Sequence, residues 1–320
     1  MSRKPKAAPS AAAELTHLIA RMRSGDRRAT SRIVTELERA SDGLPDLLAA
    51  LRPHLGRALV VGFTGPPGAG KSTLANAYTA HVRQLGKTVG IIAVDPSSPV
   101  SGGAILGDRI RMTTSLDDDG VFMRSLASRG HLGGLCPAAV RIIDGLDAAG
   151  KDIVLIETVG TGQSEIDVAE VADVRVVVMA PGLGDDIQAM KAGLLEIADI
   201  MVVNKADREG AERALHQLMS AAQLRDPARA KTIVLKTTAS TGEGVAALAE
   251  AIASIGAARL AVEGRERRRQ RARYLIARAA ADLIAERIRS GGERGLDGLA
   301  DAVLTGRLLP AEAAKKLFNA

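Results

Sequence analysis

One nonapeptide, Gly65-Pro66-Pro67-Gly68-Ala69-Gly70-Lys71-Ser72-Thr73, constrains this chain more than any other stretch. It matches G-x-x-x-x-G-K-[ST] and follows directly on the apolar, β-branched run Ala58–Phe63, the strand-to-helix setting in which that pattern binds phosphate. The chemistry is local. Glycines let consecutive backbone N–H groups converge on one anion, and the helix that begins here adds the positive end of its dipole. Lys71 neutralises the β- and γ-phosphates, and the Ser72 hydroxyl can be placed on Mg²⁺. Gly65 through Thr73 are therefore the expected phosphate cradle, in preference to a plain glycine-rich turn.

A strand feeding such a loop needs a sheet around it. Beyond Ala58–Phe63, six further short β-branched runs alternate with helical stretches: Thr88–Val94, Val121–Arg124, Ile153–Glu157, Val174–Ala180, Ile200–Asn204 and Thr232–Lys236. Each reads as a strand buried on both faces. The alternation predicts an α/β fold, a P-loop nucleotide-binding domain over residues 57–256 with a mostly parallel central sheet flanked by helices and ligands at the carboxyl ends of its strands. Ahead of it, residues 14–56 form a helical extension, with Leu15, Leu18, Ile19 and Met22, then Ile33, Val34 and Leu37, then Leu44, Leu47, Leu48 and Leu51 at helix spacing. Ser41-Asp42-Gly43 and Pro45 separate its second and third helices. Residues 1–13, basic and rich in Pro and Ala, read as a disordered tail without the apolar stretch of a secretory signal. Residues 257–320 read as a helical arm with a last helix starting near Pro310.

The base is read from Asn204-Lys205-Ala206-Asp207 at the end of the run Ile200–Asn204. In N-K-x-D, the Asp carboxylate accepts from the ring N–H and the amino group of guanine while the Lys stem covers the base. Adenine offers no such donor pair there, and a carboxylate desolvated without a donor is costly, so GTP is favoured over ATP. Thr238-Ala239-Ser240, after the next strand, can offer a backbone N–H to the guanine carbonyl. Glu157-Thr158-Val159-Gly160 closes the strand Ile153–Glu157, with Glu where most small GTPases carry Asp. A carboxylate at Glu157 would serve Mg²⁺, and Gly160 would bring its N–H to the γ-phosphate; the plain alternative is a helix N-cap region.

Together with the phosphate loop, Asp95–Met112 (DPSSPVSGGAILGDRIRM), Phe122–Leu135 (FMRSLASRGHLGGL), Glu157–Asp167 (ETVGTGQSEID) and Pro181–Asp207 (PGLGDDIQAMKAGLLEIADIMVVNKAD) resemble the MeaB/ArgK GTPases. The match is dense from about Leu59 to Gly244 and looser at both helical ends. The resemblance implies a GTPase, cycling between GTP and GDP, that works as a homodimer through its C-terminal arm. It would act as chaperone to an adenosylcobalamin-dependent acyl-CoA mutase of the methylmalonyl-CoA type, meeting adenosylcobalamin only through that partner. It also implies that Ser72, Asp95, Asp108 and Glu157 form or support the Mg²⁺ site. Asp95–Met112 and Glu157–Asp167 would be the first two switches. Pro181–Gly193 would be a third, with Asp185, Gln188 and Lys191 its working residues. Two other classes share parts of the pattern: a metallochaperone GTPase for nickel enzymes, and a kinase acting on a transport component.

Hydrolysis needs charge neutralisation, which Lys71, Mg²⁺ and the loop amides supply, and a positioned water. Thr161 follows Gly160 and Gln163 stands two further on, so the usual water-orienting glutamine is out of register. The expectation is slow intrinsic turnover, on the order of 10⁻⁴ to 10⁻² per second, accelerated by a partner. Lys191, Arg109 and Arg111 are candidate mobile cations on the phosphates, against the plain alternative of surface charge. Asp117-Asp118-Asp119 is assigned to a solvated turn and not to a metal cluster, and His131 and Cys136 to core or loop.

Composition trims the remaining classes. A single Cys among 320 residues excludes a disulfide scaffold and thiolate zinc, and with five His it argues against nickel delivery and for a reducing cytoplasm. Apolar runs are far shorter than the ~20 residues that span a bilayer. Between Arg259 and Arg294 lie eleven Arg and five acidic residues, an excess equal to the chain's net charge of +6. With Leu275, Ala279, Leu283 and Ile288 on one helical face and no interleaved aromatics for base stacking, this segment reads as a dimerisation or docking arm, with neither nucleic acid nor membrane as partner.

Overall fold

Seven parallel strands form one sheet in a computed structural model whose described residues are 11–95, 118–127, 137–158, 164–182, 196–223, 232–261, 264–290 and 293–319. They are β1 (Leu59–Thr64), β2 (Val89–Asp95), β3 (Val121–Ala127), β4 (Ile153–Thr158), β5 (Val174–Met179), β6 (Ile200–Val203) and β7 (Ile233–Lys236), in the order β3-β2-β4-β1-β5-β6-β7. All seven runs read from the sequence are strands. The expectation that each is buried on both faces holds for the inner strands and fails at the edges. Met123, Arg124 and Ser125 of β3 are half-buried, and β7 has no fully buried residue. An outermost strand has one strand neighbour, and the rim of the sheet is where the covering helices run out.

Helices α4 (Lys71–Gln84) and α8 (Val245–Leu260) share one apolar core with Val61 and Phe63 of β1, Ile91 of β2, Leu155 of β4 and Val176 and Val178 of β5. Phe63 and Tyr78 meet there as tilted rings with centroids 5.7 Å apart. Burying each aliphatic side chain of this kind contributes about 1.5–3 kcal/mol. Helices α5 (Pro137–Ala148), α6 (Ser164–Val171) and α7 (Ala211–Gln223) also flank the sheet, α7 packing Ala214 and Leu218 against Met179, Met201 and Val203.

The N-terminal helices α1 (Ala11–Arg23), α2 (Arg27–Arg39) and α3 (Leu44–Leu51) follow the predicted periodicity. Helix α1 begins three residues inside the stretch read as a tail, and residues 1–10 lie outside the described ones. Asp26 caps α2 by accepting from the N–H groups of Arg28 and Ala29 at 2.9 and 3.0 Å, worth about 1 kcal/mol. Ile33, Val34 and Leu37 are buried, and α2 packs along α5. The Glu38 carboxylate pairs with Arg124 of β3, and Arg141 of α5 donates to the Leu37 carbonyl at 2.7 Å. The extension is thus built onto the sheet domain.

The chain divides into two compact units, Met1–Arg271 and Ala272–Ala320. The first runs past the boundary at residue 256 expected from texture. Gly256 of α8 lies against Leu59, and Arg259 bridges the Asp173 carbonyl and the Asp199 carboxylate, both at 2.6 Å. In the first turns of helix α9 (Gly264–Ser290), Arg267 and the buried Arg271 both pair with Asp173. The second unit holds the rest of α9, α10 (Glu293–Leu304) and α11 (Pro310–Asn319), with Ile276, Leu283, Leu304 and Leu309 exposed. Among the described residues no helix is long and apolar enough to cross a membrane.

Candidate nucleotide-binding site

Four strand ends converge on the nonapeptide. β1 runs into it, β4 carries Glu157 in register with Phe63, β6 leads to Asn204, and β7 leads to Thr237–Ser240. The loop is shaped by backbone that side chains would spoil. Gly65 has φ 139°, and a Cβ on it would stand 2.1 Å from the Val178 carbonyl oxygen of β5. Gly70, at φ 86°, hands the chain into α4, and a Cβ there would meet the Asn204 amide nitrogen at 2.5 Å. Pro67, Gly68 and Thr73 are exposed, whereas Pro66, Ala69 and Lys71 are buried. The Lys71 Nζ donates to the carbonyls of Gly65 (2.7 Å) and Pro66 (3.0 Å), folding the ammonium over the loop that its own helix follows.

The second element is Ser72 on the first turn of α4, whose hydroxyl donates to the Glu157 carboxylate. Glu157 is 1 % exposed at the end of β4. Asp95 is the last residue of β2, one step beyond the Val94–Thr158 pair, so its backbone lies at the same end of the sheet. A hydroxyl and a buried carboxylate in direct contact beside a phosphate loop are a hard-oxygen donor set of the kind Mg²⁺ takes, and the Glu in place of Asp still reaches Ser72.

The third element is Asn204, also 1 % exposed. Its Nδ2 donates to the Ala69 carbonyl (2.9 Å) and the Gly70 carbonyl (3.4 Å), while its Oδ1 accepts from the Thr237 hydroxyl (3.0 Å) and the Ala239 N–H (3.1 Å). One side chain thereby ties the phosphate loop to the loop after β7. Lys205, in left-handed backbone at φ 58°, donates from Nζ to the Gly68 carbonyl at 2.7 Å. Asp207 is exposed at the rim, and Thr238 closes the Thr238–Ala239–Ser240 turn through a bridge to Glu243. Thr237 escaped the sequence reading, which started the third element one residue later. A hydroxyl residue ending a strand beside that element was the available signal.

Asp108, Gly160, Gln163, Asp185, Gln188 and Lys191 lie outside the described residues, as do Arg109, Arg111, Thr161, His131, Cys136 and Asp117. Asp118 and Asp119 sit in the turn entering β3. Arg83 donates to both Asp118 oxygens at 2.8 Å, which together with the Gly120 N–H holds that carboxyl below its usual range, a structural ion pair at the end of the sheet remote from the loop.

Comparison with known proteins identifies the family. The family model described as methylmalonyl-CoA mutase-associated GTPase MeaB matches residues 30–293. A putative GTPase of Pyrococcus abyssi is 45% identical over 287 residues, 88% of either chain, and the GTPase ArgK of Escherichia coli strain K12 is 43% identical over 199 residues, 61% of this chain and 60% of that one. A crystal structure titled LAO/AO transport system kinase superposes with a TM-score of 0.76 at 27% identity, covering 98% of this chain and 99% of that one. With the phosphate loop, the guanine-type motif and the Ser72–Glu157 pair gathered at the carboxyl ends of one sheet's strands, the chain belongs to the MeaB family of GTPases.

Proposed function

We propose that this chain is a GTP-hydrolysing chaperone for an adenosylcobalamin-dependent acyl-CoA mutase of the methylmalonyl-CoA type, gating cofactor loading and protecting or reactivating the enzyme. The observation that carries the reading is the match to a mutase-associated GTPase family over residues 30–293, which spans the phosphate loop, Glu157 and the N-K-x-D turn together with α3 and most of α2. GTP and GDP are its nucleotides and a homodimer its working form. The exposed apolar side chains of the C-terminal unit, Ile276 and Leu283 among them, support the dimer.

In this reading the N–H groups of residues 65–73 cradle the phosphates, and Lys71 turns from the loop carbonyls to the β- and γ-phosphates. Ser72 and Glu157, with Asp95 and Asp108, hold Mg²⁺, which neutralises charge on the phosphates when bound. Asp207 accepts from guanine, Lys205 covers the base, and Asn204 positions the loops that grip it; Thr238–Ser240 supply the contact to the guanine carbonyl. Gly160 senses the γ-phosphate. Gln163 and the third-switch residues Asp185, Gln188 and Lys191 complete the reacting site when the partner binds. Intrinsic hydrolysis is accordingly slow and partner-stimulated.

The test is direct: purified protein, GTP and Mg²⁺, with and without a purified adenosylcobalamin-dependent methylmalonyl-CoA mutase. A complex and a rise in GTP turnover are expected. Turnover that is unchanged at saturating mutase, with no complex by sedimentation, removes the chaperone reading and leaves the GTPase.

A further inference from the structure

We infer that the hydroxyls of Thr64 and Thr158 form a buried seat for one shared water behind the Ser72–Glu157 pair, and that both are positioning residues for that pair. The positioning role rests on the GTPase reading and deepens it; the seat itself stands on packing alone. Thr64 ends β1 and Thr158 ends β4, one step beyond the Phe63–Glu157 pair in register. Side chains alternate across a sheet. Phe63 lies in the core that α4 shares and Glu157 touches Ser72 of α4, so Thr64 and Thr158 stand on the opposite face. Helix α6 packs there on both strands. Gly62, two residues before Thr64, lets it come close: a Cβ on Gly62 would stand 2.3 Å from a Val168 methyl.

On that face the row at the carboxyl ends, from β2 to β5, reads Val94, Thr158, Thr64, Val177, since Thr158 pairs with Val94 and Thr64 with Val177. All four are at most 3 % exposed. Among the described residues neither hydroxyl has a hydrogen-bond partner. Valine has the shape of threonine and stands on either side of the pair, so packing alone does not call for these two oxygens. A hydroxyl buried without a partner is costly, and two side by side ask for one group that both donates and accepts. The spacing selects it. Neighbouring strands lie about 4.8 Å apart, and a water making two bonds of about 2.8 Å at a tetrahedral angle spans about 4.6 Å. Two neutral hydroxyls between valines hold no charge for an ion, which leaves water as the ligand. Seated there, it ties the residue before Gly65 to the residue after Glu157, across the two strands that carry the phosphate loop and the carboxylate. Supporting bonds of this kind hold metal-binding oxygens in place.

Three measurements on the full-length protein test this. A crystal structure is expected to show a water within about 3.2 Å of both hydroxyls. A direct bond between the hydroxyls, or no water between them, overturns the seat. Denaturant melts without nucleotide compare Thr64→Val, Thr158→Val and the double variant. Each single change strands the other hydroxyl and should lower the folding equilibrium constant about tenfold, whereas the double variant, with nothing stranded, should lie closer to wild type than either. Single variants as stable as wild type, or losses that multiply in the double variant, overturn the seat. The positioning role is read from the Mg²⁺ concentration that half-maximally strengthens GDP binding. It should rise about tenfold in the single Val variants, the lower end for groups that orient metal ligands, and stay within about twofold of wild type in Thr158→Ser, which keeps its hydroxyl. An unchanged Mg²⁺ dependence in the Val variants overturns the positioning role. Failure of wild type to bind GDP overturns the nucleotide reading and the positioning role together, while the seat stands or falls on the first two measurements.

Discussion

Asn204 and Ala69 lie 135 residues apart in the chain and are joined by a hydrogen bond of 2.9 Å, from the Asn204 Nδ2 to the Ala69 carbonyl. Because Thr237 and Ala239 donate to the other end of the same amide, its orientation is dictated: only with the oxygen toward β7 and the nitrogen toward the phosphate loop are all partners satisfied. Replacing Asn204 by Ala leaves a buried hydroxyl and N–H without their acceptor, a cost of about 1–3 kcal/mol. GTP and GDP affinity should fall about 5- to 100-fold, measured by displacement of a fluorescent nucleotide. Unchanged affinity would show that the bridge does not organise the site.

Asp207 is exposed at the rim, so its substitution perturbs binding without disturbing packing. Asp207→Asn should weaken GTP by about 100-fold, two charge-assisted hydrogen bonds being lost, and should gain relative preference for xanthosine nucleotides. Retained guanine selectivity in a competition assay would refute the base assignment.

Two loop glycines separate steric from conformational cost. Gly65→Ala drives a methyl into the Val178 carbonyl, and about 3 kcal/mol or more of stability should be lost through clash and strain together. Gly68 also has positive φ, 78°, but nothing lies within 4 Å of a Cβ built there, so Gly68→Ala should cost only about 1–2 kcal/mol. Denaturant melts of the nucleotide-free proteins check the order, and equal losses would contradict it.

Asp144 on α5 supplies a pH signature. Burial pushes its carboxyl up to about 6, against the pull of Arg271 and Arg268 and with repulsion from Asp147. A carboxyl raised above its unfolded value of 3.8 binds its proton more tightly in the folded state, so folding carries no penalty from it below pH 3.8. The penalty grows as pH rises to about 6 and is constant above, at about 1–3 kcal/mol. Asp144→Asn should therefore stabilise the protein at pH 7.5, and the gain over wild type should vanish near pH 4. A pH-independent difference in unfolding free energy would assign the effect to something other than this carboxyl.

Much of the architecture was legible because its signals are short. Seven β-branched runs gave seven strands, and Pro310 opens α11 as read from the sequence. What escaped is long-range. The texture of β3 and β7 does not say that they are edges, since edge position follows from which strands pair. Asp147 reads as one more helix acid, yet it accepts from the N–H groups of Arg57 (3.0 Å) and Ala58 (2.9 Å), some 90 residues earlier, and fixes the entry to β1. The boundary placed at residue 256 marked a change of composition, whereas the first compact unit continues to Arg271.

The nucleotide motifs were legible in the sequence because the phosphate loop and the N-K-x-D turn are contiguous patterns of nine and four residues, whereas their joining through Asn204 to Ala69, Thr237 and Ala239 is tertiary. The meaning of the eleven-arginine stretch was decided only by the tertiary structure. Arg259, Arg267 and Arg271 are partners of Asp173 and Asp199, and the charges meet across 60 to 98 positions of chain. At its start, part of what composition presents as a free basic face is paired with carboxylates, with Arg271 buried, Arg267 largely covered and Arg259 partly exposed. Pairing of that kind depends on which surfaces the sheet brings together, and no local pattern carries it.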